Sequence, residues 1–154
     1  MIEKVKRGLQ MNEKLVQALD LLQKENYTCI MVKENSVYAS KDNGIKPILQ
    51  PLNQDENFFA EGWVADRVIG KSAAMLLVKG QVKGIYGEIM SEHALKFLNQ
   101  CKIEIAYETL VPYIENREKT GMCPMETLVL DTEDTTEAFE WLNRKVKEMG
   151  EKKK

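Results

Sequence analysis

Residues 82–110 read VKGIYGEIMSEHALKFLNQCKIEIAYETL, and this stretch decides the fold. From Val82 to Met90 the side chains alternate, with Val82, Gly84, Tyr86 and Glu88 set against Lys83, Ile85, Gly87 and Ile89, which is the period of a strand. Ser91 is a favourable N-cap, and Ala94, Leu95 and Leu98 behind it predict a short helix. Strand character returns from Lys102 to Leu110, with Ile103, Ile105 and Tyr107 on one face. Strand, helix and strand in immediate succession is the βα alternation of an α/β domain.

Working outward, Leu15, Leu19 and Leu22, flanked by Val16 and Ala18, recur at helical spacing and predict a helix from about residue 3 to 24, ended by Glu25-Asn26. Tyr27 to Val32 (YTCIMV) and Ser36 to Ser40 (SVYAS) read as a hairpin turning at Lys33-Glu34-Asn35, with Lys41 to Gly44 closing it. Residues 45–62, with Pro47, Pro51 and the polar NQDEN run, read as a long connection. Trp63 to Lys79 reads as a single helix with Val64, Val68, Ser72, Met75 and Leu76 on one face, Ala65, Ile69 and Ala73 beside them, and Gly80 at its C-cap. Beyond the βαβ segment, Pro112 to Gly121 is a polar loop, and Cys123-Pro124 opens a short helix to about Leu130. Asp131 to Asp134 interrupts, and a last helix is expected to turn Phe139, Leu142, Val146 and Met149 inward. The predicted order is α, β, β, α, β, α, β, α, α. A hairpin followed by βα alternation implies a mixed sheet with helices on both faces, a three-layer α/β/α sandwich. Residues 1–150 form one domain and 151–154 a frayed basic tail.

Composition narrows the class. The chain has 154 residues, room for one core, with 22 Lys and Arg against 24 Asp and Glu and a formal net charge of −2. That balance argues against a nucleic-acid partner held by bulk electrostatics. The longest strictly apolar run, Ala73 to Val78, falls far short of the ~20 residues of a membrane helix, so no membrane role is expected. The N-terminal MIEKVKRGLQMNEKL has no apolar core of a signal peptide. Cys29, Cys101 and Cys123 are odd in number and widely spaced, which suits a reducing cytoplasm better than a disulfide framework.

Three stretches bear on chemistry. Ala65-Asp66-Arg67-Val68-Ile69-Gly70-Lys71-Ser72 fits a permissive phosphate-loop pattern, but no convincing strand precedes it, and the β-branched Val68 and Ile69 resist the conformations of a phosphate cradle. It reads instead as helix, with Gly70 allowing close packing. In Cys123-Pro124-Met125-Glu126, Pro at the first helical position makes Cys123 the N-cap and Glu126 the N3 residue. Glu126 there can fold back on the Cys123 amide as a structural cap, while the helix dipole favours a Cys123 thiolate. Both roles remain open. Arg117, in the polar loop, can present its guanidinium fork to a carboxylate or phosphate, or pair with Glu115 or Glu118. Lys71 is expected to snorkel out of an apolar helix, His93 to be at least half-exposed, and Cys29 and Cys101 to act as small core hydrophobes.

The string Asn116-Arg117-x-x-Thr120-Gly121-Met122-Cys123-Pro124-Met125-Glu126, with VADRVIGKSAAMLL upstream, resembles a small prokaryotic family of single domains with a cytidine deaminase-like fold and no established activity. The resemblance runs from about Leu15 to Leu142. It implies that Val64-Ala65-Asp66 stands where zinc deaminases carry H-x-E or C-x-E at a helix start, and that CPME stands where they carry P-C-x-x-C. Val64 then replaces a zinc ligand, and one Cys remains. The resemblance further implies that Asp66, Cys123 and Glu126, the candidate catalytic residues, converge at two neighbouring helix N-termini. Arg117, Thr120 and Lys71 are the candidate ligand-binding residues. The expected function is a deaminase-fold protein without the zinc set, cofactor or metal, binding a small polar or anionic ligand. The alternatives are altered chemistry through Cys123 or Asp66, or a non-catalytic module mediating a homo-oligomer.

Overall fold

The computed structural model describes residues 11–152. Helix α1 (Glu13–Lys24) starts at Asn12, whose side chain accepts the Lys14 N–H, and buries Leu15, Ala18 and Leu22. The part of the predicted helix before residue 11 lies outside the described residues. Strands β1 (Cys29–Lys33) and β2 (Ser36–Ser40) form the predicted hairpin, with Lys33 opposite Ser36.

Two stretches depart from the sequence expectation. Residues 45–62 are not a plain connection, because Lys46–Gln54 forms α2, with Pro47 in its first turn and Pro51 inside it. A helical proline leaves the carbonyl four residues earlier without its donor. Here that carbonyl belongs to Pro47 and accepts the Tyr38 hydroxyl at 2.8 Å. Trp63–Lys79 is not one helix either. Trp63–Ile69 is strand β3, Gly70 is an N-cap, and only Lys71–Lys79 forms helix α3. The strand lacks clean alternation: Ala65 faces the α1 layer and Val64 the opposite core, yet Ile69 also joins that opposite core while Val68 is exposed. Burial without period two leaves a sequence that also fits helical spacing.

The remaining elements follow the predicted order: β4 (Gly84–Ser91), α4 (Glu92–Leu98), β5 (Glu104–Val111), α5 (Pro124–Leu128) and α6 (Thr135–Lys152). The sheet runs β2-β1-β3-β4-β5; β1 is antiparallel to both neighbours, and β3, β4 and β5 are parallel. The expected three-layer α/β/α sandwich with a mixed sheet is the observed one. On one face α1 packs on Ile30, Val32, Ala65, Tyr86 and Ala106. On the other, residues of α2, α3, α4 and α6 pack on Cys29, Met31, Val64, Ile85 and Ile105. In α6, Ala138 and Leu142 point inward, but Val146 and Met149 are exposed, contrary to expectation. Among the described residues no helix is long and apolar enough to cross a membrane.

Candidate functional site

The parallel strands β3, β4 and β5 all end on one side of the domain, and open α/β sheets present ligand crevices outside such carboxyl ends. A partly open chamber of about 160 Å³ lies there, with Asp66, Ser72, Cys123 and Glu126 among its lining residues. Thr28 before β1, Ile45 before α2, Gly70 at the start of α3 and Ile114 after β5 complete much of its wall. Asp66, Cys123 and Glu126 thus share one cavity. Asp66 reaches it from β3, not from the helix start expected for it, since α3 begins five residues further on.

Asp66 is buried and pairs with Cys29 across the antiparallel ladder, so both side chains stand on the same face. Its carboxylate accepts the Val68 N–H at 3.0 Å and has the Cys29 thiol beside it. Burial raises its pKa to about 7; the Val68 hydrogen bond, the neighbouring Cys29 thiol and the nearby Arg67 only partly offset that rise. Burial, together with the neighbouring Asp66, pushes the Cys29 thiol well above its ordinary value. Cys29 therefore does more than fill space. Finding it from sequence required the β1–β3 register, which the helical reading of Trp63–Ile69 concealed.

Glu126 is a fastener. It is 1% exposed, and its Oε2 accepts the Lys71 N–H at 2.7 Å and the Ser91 hydroxyl at 2.5 Å, while Oε1 accepts the Ile114 N–H at 2.7 Å. Gly70 offers α3 no capping side chain, so Glu126 of α5 caps that helix from outside. The expected fold-back on Cys123 is not made, because the Cys123 N–H donates to the Ile114 carbonyl at 2.7 Å. Ser91 is shared: its hydroxyl also accepts the Ala94 N–H at 3.0 Å as the cap of α4. Lys71 does not snorkel. It is 4% exposed, with its ammonium on Glu133 at 2.6 Å and the Leu130 carbonyl at 2.9 Å, so it braces the segment after α5 and does not line the chamber.

Cys123 caps α5 through its backbone, is half-buried and makes no side-chain cap bond. Thr120 lies outside the chamber, closing a turn in which its N–H and hydroxyl meet the Asn116 side chain. Arg117 is exposed and also lies outside, on a wider groove of about 600 Å³ that shares Val68 and Ile114 with the chamber. His93 is half-buried. The phosphate-loop reading finds no loop, since Ala65 to Ile69 is strand.

The residues at this site do not suit the zinc that a deaminase-like relationship implies. The start of α3 is Gly70-Lys71-Ser72, with no His or Cys, and all of Glu126's bonding goes to donors on other elements. Among the described residues no group of three or more His, Cys, Asp and Glu is placed to hold a metal ion.

Residues 17–146 match the protein family described as TM1506, domain of unknown function (DUF1893). The chain belongs to the DUF1893 family. A crystal structure of a DUF1893 family protein (TM1506) from Thermotoga maritima superposes with a TM-score of 0.80 at 28% identity, covering 89% of this chain and 92% of that one. No curated protein is matched. The match to DUF1893 and to that structure fits the observed fold, and the family description names no activity.

Proposed function

We propose that this DUF1893 domain binds a small molecule through a non-ionic hydrogen-bonding group that enters the chamber beside Asp66. The observation carrying this reading is the buried Asp66 carboxylate in the wall of a partly open cavity at the strands' carboxyl ends. About 160 Å³ holds roughly five waters at ~30 Å³ each, so the entering group is the size of a small ring or amide. An anion is disfavoured inside, since two carboxylates line the space. The Arg67 guanidinium, whose residue also contributes to the lining, is committed elsewhere: to the Tyr27, Leu22 and Glu25 carbonyls and to Glu88. The deaminase-like layout enters this proposal only as a cavity where α3 and α5 begin. Nothing in the donor set supports water activation by zinc.

Catalysis is the second reading, favoured by the near-neutral titration of Asp66, which suits proton transfer to or from a bound group. Both readings start with binding. A fragment library screened by two-dimensional amide NMR tests it: neutral amides and heterocycles should shift the signals of Asp66, Ser72 and Cys123. Those shifts should vanish in a folded Cys123→Phe variant, whose ring fills the chamber. Shifts confined to other surfaces, or unchanged in that variant, would overturn the reading.

A further inference from the structure

The groove beside the chamber carries the complementary chemistry. Its wall includes Val68 and Ile89, neighbours across the β3–β4 ladder, together with Tyr113 after β5. These three are 41%, 36% and 37% exposed, an apolar surface that the fold leaves uncovered. Arg117 and Lys119 also line it, against one acid, Glu115. Among the described residues neither cation makes an ion pair or side-chain hydrogen bond, whereas Arg67, Lys71 and Lys83 are all paired. The loop is also held in place: Asn116 accepts the Lys119 and Thr120 N–H groups, its own N–H donates to the Gly121 carbonyl, and Lys119 sits at φ 60°, in the left-handed region. Val68 and Ile114 form a wall common to groove and chamber.

We propose that chamber and groove are one bipartite site, taking a small molecule whose non-ionic head enters the chamber, whose apolar body lies along Val68 and Ile89, and whose anionic end is held by Arg117 and Lys119. This rests on the chamber reading above and extends it. Anions are disfavoured within the chamber and favoured a short distance outside it, so the charge distribution sets the ligand's polarity from end to end. Guanidinium and ammonium accept a carboxylate or a phosphate alike, and both belong in the test.

The experiment uses matched aromatic amides on the full chain: benzamide, 4-carbamoylbenzoate and 4-carbamoylphenyl phosphate, with inorganic phosphate as control. Affinities are read by amide NMR titration. The two acid-bearing probes should bind about tenfold more tightly than benzamide, the size of one exposed charge-assisted contact. They should shift Arg117 and Lys119 as well as Asp66, and the gain should disappear in Arg117→Ala/Lys119→Ala while benzamide binding is unchanged. A larger gain for the phosphate than for the carboxylate assigns the end group, and the reverse assigns it the other way. Benzamide in the chamber with no gain from either acid overturns the bipartite site and leaves the chamber reading standing. If none of the three amides shifts Asp66 or Cys123, both readings fall together. Inorganic phosphate matching the acid-bearing probes reduces the groove to a non-selective anion surface and also overturns the proposal.

Discussion

Replacing Glu126 by Ala tests the claim that the CPME string holds the domain's site end together. The substitution strips the acceptor from two backbone N–H groups, those of Lys71 and Ile114, and from the Ser91 hydroxyl, in a place only 1% exposed. Hydrogen bonds to a charged partner contribute about 1.5–3 kcal/mol each, and a buried donor left unpaired costs about 1–3 kcal/mol. These terms overlap, and water entering the vacated space recovers part of the loss, so the net destabilisation is expected to be about 4 kcal/mol. For a chain of this length each kcal/mol moves Tm by about 2–4 °C, giving a fall of about 8–16 °C. Urea unfolding followed by circular dichroism measures the loss, with an unchanged m-value showing that the two-state comparison holds. Glu126→Gln keeps the shape and one acceptor but turns an NH2 group toward a donor, so about half the effect is expected. It also provides the measurement if the Ala variant does not fold. A loss below about 1 kcal/mol for Glu126→Ala would refute the capping argument and return Glu126 to the list of candidate catalytic groups.

Three further outcomes follow from the same geometry. Because Asp66 titrates near 7 in the folded chain against about 4 when unfolded, the folded state binds the extra proton between those values. Stability therefore falls as pH rises from about 4 to about 7, and Asp66→Asn, which abolishes that slope, should gain on the native chain between pH 4 and pH 8 in urea melts; an equal gap at both ends defeats the assignment. Iodoacetamide on folded protein at neutral pH should label half-buried Cys123 well before Cys29, whose thiol is buried and whose pKa is pushed well up; equal rates would place Cys123 out of solvent's reach. Elemental analysis of protein purified without chelator should find well under one zinc per chain, and a value near one would overturn the argument from the donor set.

The legible parts of the sequence were runs of β-forming residues bounded by turn and cap signals. Cys29–Lys33 with its hairpin partner, the βαβ segment through β4, α4 and β5, and the Ser91 cap all follow local rules and appear where those rules put them. The illegible part was Trp63–Lys79, because β3 breaks alternation near Val68 and α3 is buried on nearly every side, so neither period is printed on it. The prolines of α2 misled for a different reason: the cost of Pro51 is met by Tyr38, distant in sequence, and no local rule contains that partner. Lys71 follows the same logic. Snorkelling is the default for a lysine on an apolar helix, and it is overridden only because Glu133 and the Leu130 carbonyl are brought to it from beyond α5.

That distinction bears on which carboxylate can carry chemistry. Glu126 and Asp66 line the same chamber, and from sequence the CPME glutamate looked equal to the strand aspartate as a candidate. In the folded chain Glu126 is fixed by the Lys71 and Ile114 backbone N–H groups and the Ser91 hydroxyl, and any shift of its position would uncap α3 and loosen the chain after β5. Asp66 is held less firmly. Its carboxylate accepts one backbone N–H, that of Val68, and its pKa of about 7 lets it present either an acceptor or an O–H donor near neutral pH. A group entering the chamber as proposed would meet at Asp66 a carboxyl able to change protonation near neutral pH, whereas both Glu126 oxygens are already taken by donors of the fold. The division follows from the fold: the glutamate holds the cavity's walls together, and the aspartate is the side chain free to answer what enters.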